Sequence, residues 1–196
     1  MRALLTILLE QEVKFRLQEA RDGAAKLEAI GAHIEKPRHF EQNVLYDYSD
    51  RRLRKRDEAL RLRRVGGDQA WLTWKGPHHG SGRIKQRREF ETFLSDADAV
   101  EAIFEAIGLV ECFRYEKYRA IYRVGSAILT VDETPMGVFL EIEATPAIIT
   151  EMAGRLGLDM EDAINLSYPH LYELYRDTTP GAPEFMVFSE DPLTPS

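Results

Sequence analysis

The chain contains a single cysteine, Cys112, among 196 residues. A lone thiol excludes an internal disulfide framework and a cysteine-ligated zinc cluster, and the lack of disulfides fits a cytosolic protein. Long apolar runs are missing too. The stretch ALLTILL at 3–9 has seven residues and runs into Glu10 and Glu12 without a small-residue cleavage site. It is too short for a membrane span of about 20 residues and has the wrong flank for a secretory signal, so it is expected to open the first strand. An excess of positive charge is also missing. The net charge is −7 and the pI near 5.3, which argues against a general nucleic-acid-binding surface but leaves room for a local basic channel. There is no internal repeat and no dividing linker, and this length suits one domain.

What the sequence has is alternation. In Glu10-Gln11-Glu12-Val13-Lys14-Phe15-Arg16-Leu17, side chains two apart share a strand face. Glu10, Glu12, Lys14 and Arg16 therefore point one way and Val13, Phe15 and Leu17 the other. Residues 59–65 place Arg61 and Arg63 opposite Leu60 and Leu62, and residues 70–75 place Lys75 with Trp71 and Thr73. Residues 83–93 align Arg83, Lys85, Arg87, Glu89 and Glu91, and residues 115–124 align Lys117, Arg119 and Arg123. Asp132 follows in 127–133, then Glu141 with Glu143 in 138–144. With 40–48 this gives about eight strands, an antiparallel count. Helices are expected at 21–32, 96–107, 146–156 and 161–176, a hairpin turn at 66–69 and a longer, mobile loop at 76–82. Residues 1–177 form the expected domain. The Pro-rich acidic stretch 178–196 reads as a loose tail in which Phe185, Val187 and Phe188 could pack on the body.

The patterned face carries eleven bases and seven acids, a surplus of four positive charges in an acidic chain. A solvated sheet face is the plain alternative. Two features argue against it: the face is almost pure Arg, Lys and Glu, and the helices need the apolar face to cover. The expected fold is therefore mainly β with added helices (α+β), a closed eight-stranded antiparallel barrel with a charged lumen and helices outside. Buried charges must be paired or bound to ions. Arginine and lysine suit phosphate, and clustered carboxylates suit a hard divalent cation. A metal-bound triphosphate satisfies both.

These residues resemble the CYTH domain family, the triphosphate tunnel metalloenzymes. The resemblance rests on E-x-E-x-K (Glu10, Glu12, Lys14), LRLR (Arg61, Arg63), WKGP (Lys75) and the strand with Arg87, Glu89 and Glu91. It continues through KYR (Lys117, Arg119, then Arg123), Asp132 and GVFLEIE (Glu141, Glu143), and so runs from about residue 8 to 175. It implies that Glu10, Glu12, Asp132, Glu141 and Glu143 hold Mg2+ or Mn2+. It also implies that Lys14, Arg61, Arg63, Lys75, Arg87, Lys117, Arg119 and Arg123 hold phosphates. Glu89 either joins them at the substrate or binds metal, and Glu91 orients arginines.

NVLYD (43–47) and SYPHLYELYR (167–176) look more like class IV adenylate cyclases, which convert ATP to cyclic AMP and pyrophosphate, than thiamine triphosphatases. The alternatives are an inorganic or thiamine triphosphatase and a barrel that binds polyphosphate or a nucleotide without turnover. The partner is then a nucleoside triphosphate or an inorganic or organic triphosphate, with no nucleic acid and no membrane, and a homodimer left open. Lys14 is the candidate base beside a metal-bound hydroxide. His78 and His79, in the expected loop, could contact phosphate or a nucleobase, or be plain surface residues.

Overall fold

A computed structural model of the chain describes residues 8–67, 69–79 and 82–189. Its frame is one closed antiparallel barrel. The strands are β1 (Leu8–Leu17), β2 (His33–Tyr48), β3 (Ala59–Val65), β4 (Gln69–His79), β5 (Lys85–Leu94), β6 (Leu109–Val124), β7 (Ala127–Thr134) and β8 (Gly137–Glu143). They follow the order β1-β5-β4-β3-β2-β6-β7-β8, and β8 pairs back onto β1 with Glu12 opposite Glu143 and Lys14 opposite Glu141. Closure removes free sheet edges and gives every strand an inner and an outer face. Residues 3–7 of the expected opening strand lie outside the described residues.

The outer face is apolar and sheathed, as the alternation requires. Helices α1 (Ala20–Ala29) and α4 (Pro146–Arg155) cover Val13, Phe15, Leu129, Val131, Leu140 and Ile142 with Leu27, Ile149 and Met152. Gly23 lets α1 come close, because a Cβ there would sit 2.7 Å from Leu17 Cδ1 and 3.0 Å from Val131 Cγ2. On the opposite side, α2 (Arg52–Lys55) and α3 (Ala97–Ala106) pack Leu53 and Phe104 on Val44, Tyr46 and Leu62. Asp96 caps α3 by accepting from Ala99 N at 2.9 Å, as an N-terminal aspartate should.

Three expectations are corrected here. The stretch 76–79 is strand, not loop. β4 runs on to His79 across an irregularity between Lys75 and His78, where Pro77 is tolerated because a bulge demands no ladder donor. Residues 163–167 are not helical. A 3-10 turn at Met160–Asp162 leads into extended chain, and α5 spans Tyr168–Thr178. The extended piece is needed because β5 begins at Lys85, so β1 beyond Glu12 has β8 on one side only. Ile164 fills the vacant edge, donating to Lys14 O at 2.8 Å and accepting from Lys14 N at 3.3 Å.

The tail, third, is anchored as far as the structure describes it. Met186 is fully buried, its N–H donates to Arg114 O at 3.1 Å, and its carbonyl accepts from Glu116 N at 2.8 Å. Tyr172 donates to the carbonyls of Pro183 and Phe185. Tyr115, Phe139, Tyr168 and Tyr172 join Met186 and Met136 in an apolar cluster. Tyr115 and Phe139 share strand faces with the inward-pointing Lys117 and Glu141, so α5 and the tail cover one end of the barrel. Residues 190–196 lie outside the described residues.

Candidate active site

The inner faces converge on one chamber of about 340 Å3. β1 lends it Glu10, Glu12 and Lys14, and β8 lends Glu141 and Glu143. β3 and β4 contribute Arg61, Arg63 and Lys75, while β5 contributes Lys85, Arg87, Glu89 and Glu91. Lys117 and Arg119 come from β6, and Glu35 stands at the start of β2. Among the described residues eight bases and seven acids line the chamber, so it is close to neutral. The surplus of four positive charges counted along the strands does not persist, because Arg16, Arg83, Arg123 and Asp132 fall outside the lining and Glu35 enters it.

Neutrality is local as well as global. Lys14 Nζ lies 2.6 Å from Glu141 Oε1, and Lys85 Nζ lies 2.8 Å from Glu12 Oε1. Lys75 reaches Glu10 at 3.1 Å and also pairs with Glu89. Glu91 accepts from Thr73 Oγ1 at 2.7 Å and faces Arg63 at 3.2 Å and Arg61 at 3.4 Å. The deepest knot joins Asp132 to Lys117 at 3.0 Å, to Arg119 at 2.6 Å and to the Tyr168 hydroxyl at 2.6 Å. Arg119 also reaches Glu141.

Three of the expected site residues stand differently. Asp132 has no exposed surface and is spent on Lys117, Arg119 and Tyr168. In this arrangement it is an internal counter-ion behind the lining. Arg123 lies near the end of β6, is half-buried and pairs with the chamber residue Glu35 without lining the chamber itself. Lys14 is held as an ammonium in this arrangement. Burial favours its neutral form, but Glu141, Glu12 and Asp132 outweigh that and hold its pKa above the ordinary lysine value. Lys14 is therefore a fixed cation, stacked 4.5 Å from the Tyr168 ring centroid.

The profile of the CYTH domain family matches residues 8–157 of this chain. The chain belongs to the CYTH domain family. A Methanocaldococcus jannaschii protein provisionally named an adenylate cyclase is 29% identical over 163 residues, covering 82% of this chain and 91% of that one. Two examples stand among the solved structures that share the fold. One, provisionally named an adenylate cyclase from Vibrio parahaemolyticus, aligns with a TM-score of 0.74 at 21% identity, over 84% of this chain and 98% of that one. The other is a Hippeastrum protein described as an adenylyl cyclase candidate with a dominant triphosphatase activity. It aligns with a TM-score of 0.62 at 18% identity, over 85% and 96%.

In this CYTH barrel the paired charges shape each other. Burial raises the pKa of Glu141, yet Lys14, Arg119 and Lys117 pull it well below the usual carboxylate value. Glu143 is the exception. Although Glu143 is exposed at the end of β8, partial desolvation of its carboxyl and the nearby charges of Glu10 and Glu12 push it up to about 7. Negative charge is thus under-compensated at the corner formed by Glu10, Glu12 and Glu143. Among the described residues no group of three or more His, Cys, Asp or Glu side chains stands in a metal-holding arrangement, and Lys75 and Lys85 pair with Glu10 and Glu12.

Alternation also misses several residues. Glu41 and Asn43 on β2 are buried, but Leu45 breaks their polar face, so the strand gives no charge signal. Glu41 lies 3.7 Å from both Arg63 and Lys117, and neither polar atom of the Asn43 amide has a hydrogen-bond partner among the described residues. Tyr168 enters from a helix, where a period-2 pattern cannot reveal it. Replacing Asp132 with asparagine should cost about 3–5 kcal/mol in urea unfolding, as expected when one member of a buried ion network is removed. A loss under about 1 kcal/mol together with weakened Mn2+ binding would restore Asp132 as a ligand.

Proposed function

We propose that the chamber holds a triphosphate together with Mg2+ or Mn2+, and that the protein converts ATP to cyclic AMP and pyrophosphate. The observation that carries this reading is the chamber itself, where eight cationic side chains from five strands converge on a space of about 340 Å3 beside a corner of excess carboxylate charge. Lys14, Arg61, Arg63, Lys75, Arg87, Lys117 and Arg119 are donors for phosphate oxygens, the arginines in bidentate fashion. They act by positioning and by neutralising charge that builds on the leaving phosphates.

The residues fit a divalent cation under one condition. When Lys75 and Lys85 turn to phosphate, Glu10 and Glu12 are released to join Glu143 in holding it. Bound there, the cation would supply charge neutralisation and polarisation of a phosphate oxygen. The name of the Methanocaldococcus relative favours cyclisation, and the activity described for the Hippeastrum protein makes hydrolysis the competing outcome on the same fold.

Incubation with ATP or tripolyphosphate plus Mn2+ tests the reading. Cyclic AMP with pyrophosphate is the expected product, whereas orthophosphate released from tripolyphosphate would select hydrolysis. Binding without any product would overturn the enzyme. Glu143 adds a pH dependence. A carboxyl with a pKa of about 7 is mostly protonated at pH 6 and mostly ionised at pH 8, and a cation binds only the ionised form. Mn2+ affinity should therefore rise from pH 6 to pH 8 in the native protein and rise less in Glu143→Gln. Equal pH profiles in the two would contradict a ligand role for Glu143.

A further inference from the structure

A second cavity, of about 280 Å3, shares a wall with the charged chamber. Leu45, Ala59, Arg87, Ser167 and Pro169 line both. This cavity has an apolar part made by Leu60, Phe113 and Cys112. An apolar surface flanked by charged and polar side chains can receive the flat and the polar parts of one organic group. Its polar groups include a pair that no alternation pattern contains.

Asp57, in the turn before β3, sits at φ +56°, a left-handed conformation that costs a non-glycine residue energy unless local bonds hold it. Those bonds come from His78, on β4. Its backbone N–H donates to Asp57 Oδ2 at 2.7 Å, and its Nδ1 lies 2.6 Å and 2.8 Å from the two carboxylate oxygens. A carboxylate only accepts, so Nδ1 carries the hydrogen and Nε2 of the neutral ring carries the free lone pair. Burial holds the imidazole below its ordinary pKa, Arg87 and Lys85 adding to this while Asp57 opposes it. No described residue bonds Nε2. The same turn also fixes the shared wall, because Asp57 O accepts from Arg87 Nη2 at 3.1 Å while Gly76 O accepts from Arg87 Nε at 2.8 Å.

We propose that this second cavity takes the organic group attached to the triphosphate, a hydroxyl-bearing nucleoside, and that His78 Nε2 accepts a hydrogen bond from its sugar hydroxyl. The proposal rests on the triphosphate reading of the chamber. Arg87, at the shared wall, then meets the phosphate nearest the nucleoside. The flat base lies against Leu60 and Phe113. Asp57 is a positioning residue, since it fixes the tautomer and the direction of His78 without touching the ligand. The pair thereby makes the site distinguish a nucleotide from an inorganic polyphosphate that would fill the chamber equally well.

The test is a ligand–protein cycle by calorimetry in Mn2+, with ATP, 2′,3′-dideoxy-ATP and tripolyphosphate as probes. Native protein should bind ATP about three- to ten-fold more tightly than the dideoxy analogue, the worth of one hydrogen bond. In His78→Ala that ratio should fall to about one, and in Asp57→Asn it should fall part of the way. If native protein binds tripolyphosphate but does not distinguish the two nucleotides, the proposal is overturned while the chamber reading stands. That comparison needs no variant, so a misfolded His78→Ala cannot rescue the proposal. If tripolyphosphate fails to bind, the triphosphate reading falls and this proposal falls with it. A ratio in His78→Ala equal to the native ratio would also overturn the role of His78.

Discussion

The structure depends on mutual neutralisation of charges inside a closed barrel. Lys14, Lys117, Arg119, Glu41, Asp132 and Glu141 are brought together where water is largely excluded, with Lys117, Glu41 and Asp132 almost wholly buried. Isolated ions there would each cost several kcal/mol of desolvation, which only close pairing and added hydrogen bonds offset. Each of these bases accordingly has a carboxylate, and Asp132 and Glu141 each take two or more donors. Glu41 faces Arg63 and Lys117 at 3.7 Å, its Oε2 without a hydrogen-bond partner among the described residues. The apolar exterior, the helical sheath and the plugged end all serve this requirement, because the pairs hold only while the wall around them stays closed.

The same pairing gives the site its chemistry. An internal ion pair contributes little net stability compared with an apolar packing of the same volume, so a lumen filled with such pairs is costly as mere scaffolding. It does keep a set of cations charged and aimed inward. An entering polyanion then competes with carboxylates already in place, and the displaced carboxylates become ligands for a cation that arrives with it. The elevated pKa of Glu143, about 7, shows where this reserve of negative charge is least compensated. Lys75 and Lys85, which hold Glu10 and Glu12, are the bases whose departure would complete the corner.

Much of this was legible in the sequence because strand alternation converts directly into facing. Glu10, Glu12, Lys14, Arg61, Arg63, Lys75, Arg87, Glu89, Lys117, Arg119, Glu141 and Glu143 were all read onto one face, and all line one chamber. Alternation is silent about height along the barrel axis, which comes from register and shear. That is why Asp132 has the right parity but lies behind the lining, and why Arg123 has the right parity but lies near the end of its strand. Glu41 and Asn43 were hidden by a mixed β2 face, and Tyr168 by its place on a helix. Asp57 and His78 are 21 residues apart and meet only because Gly76 and Pro77 carry β4 onward as an irregular strand instead of a loop.

Calorimetric titration of tripolyphosphate with and without Mn2+ tests the exchange of partners most directly. If incoming phosphate strips the lumen carboxylates of their cations, binding without metal leaves those carboxylates unpaired and must be weak. Saturating Mn2+ should then strengthen binding at least about ten-fold, the size of a common coupling between sites. Equal affinity under both conditions would contradict the account, because the lumen would then be a simple anion trap whose carboxylates have no part in binding.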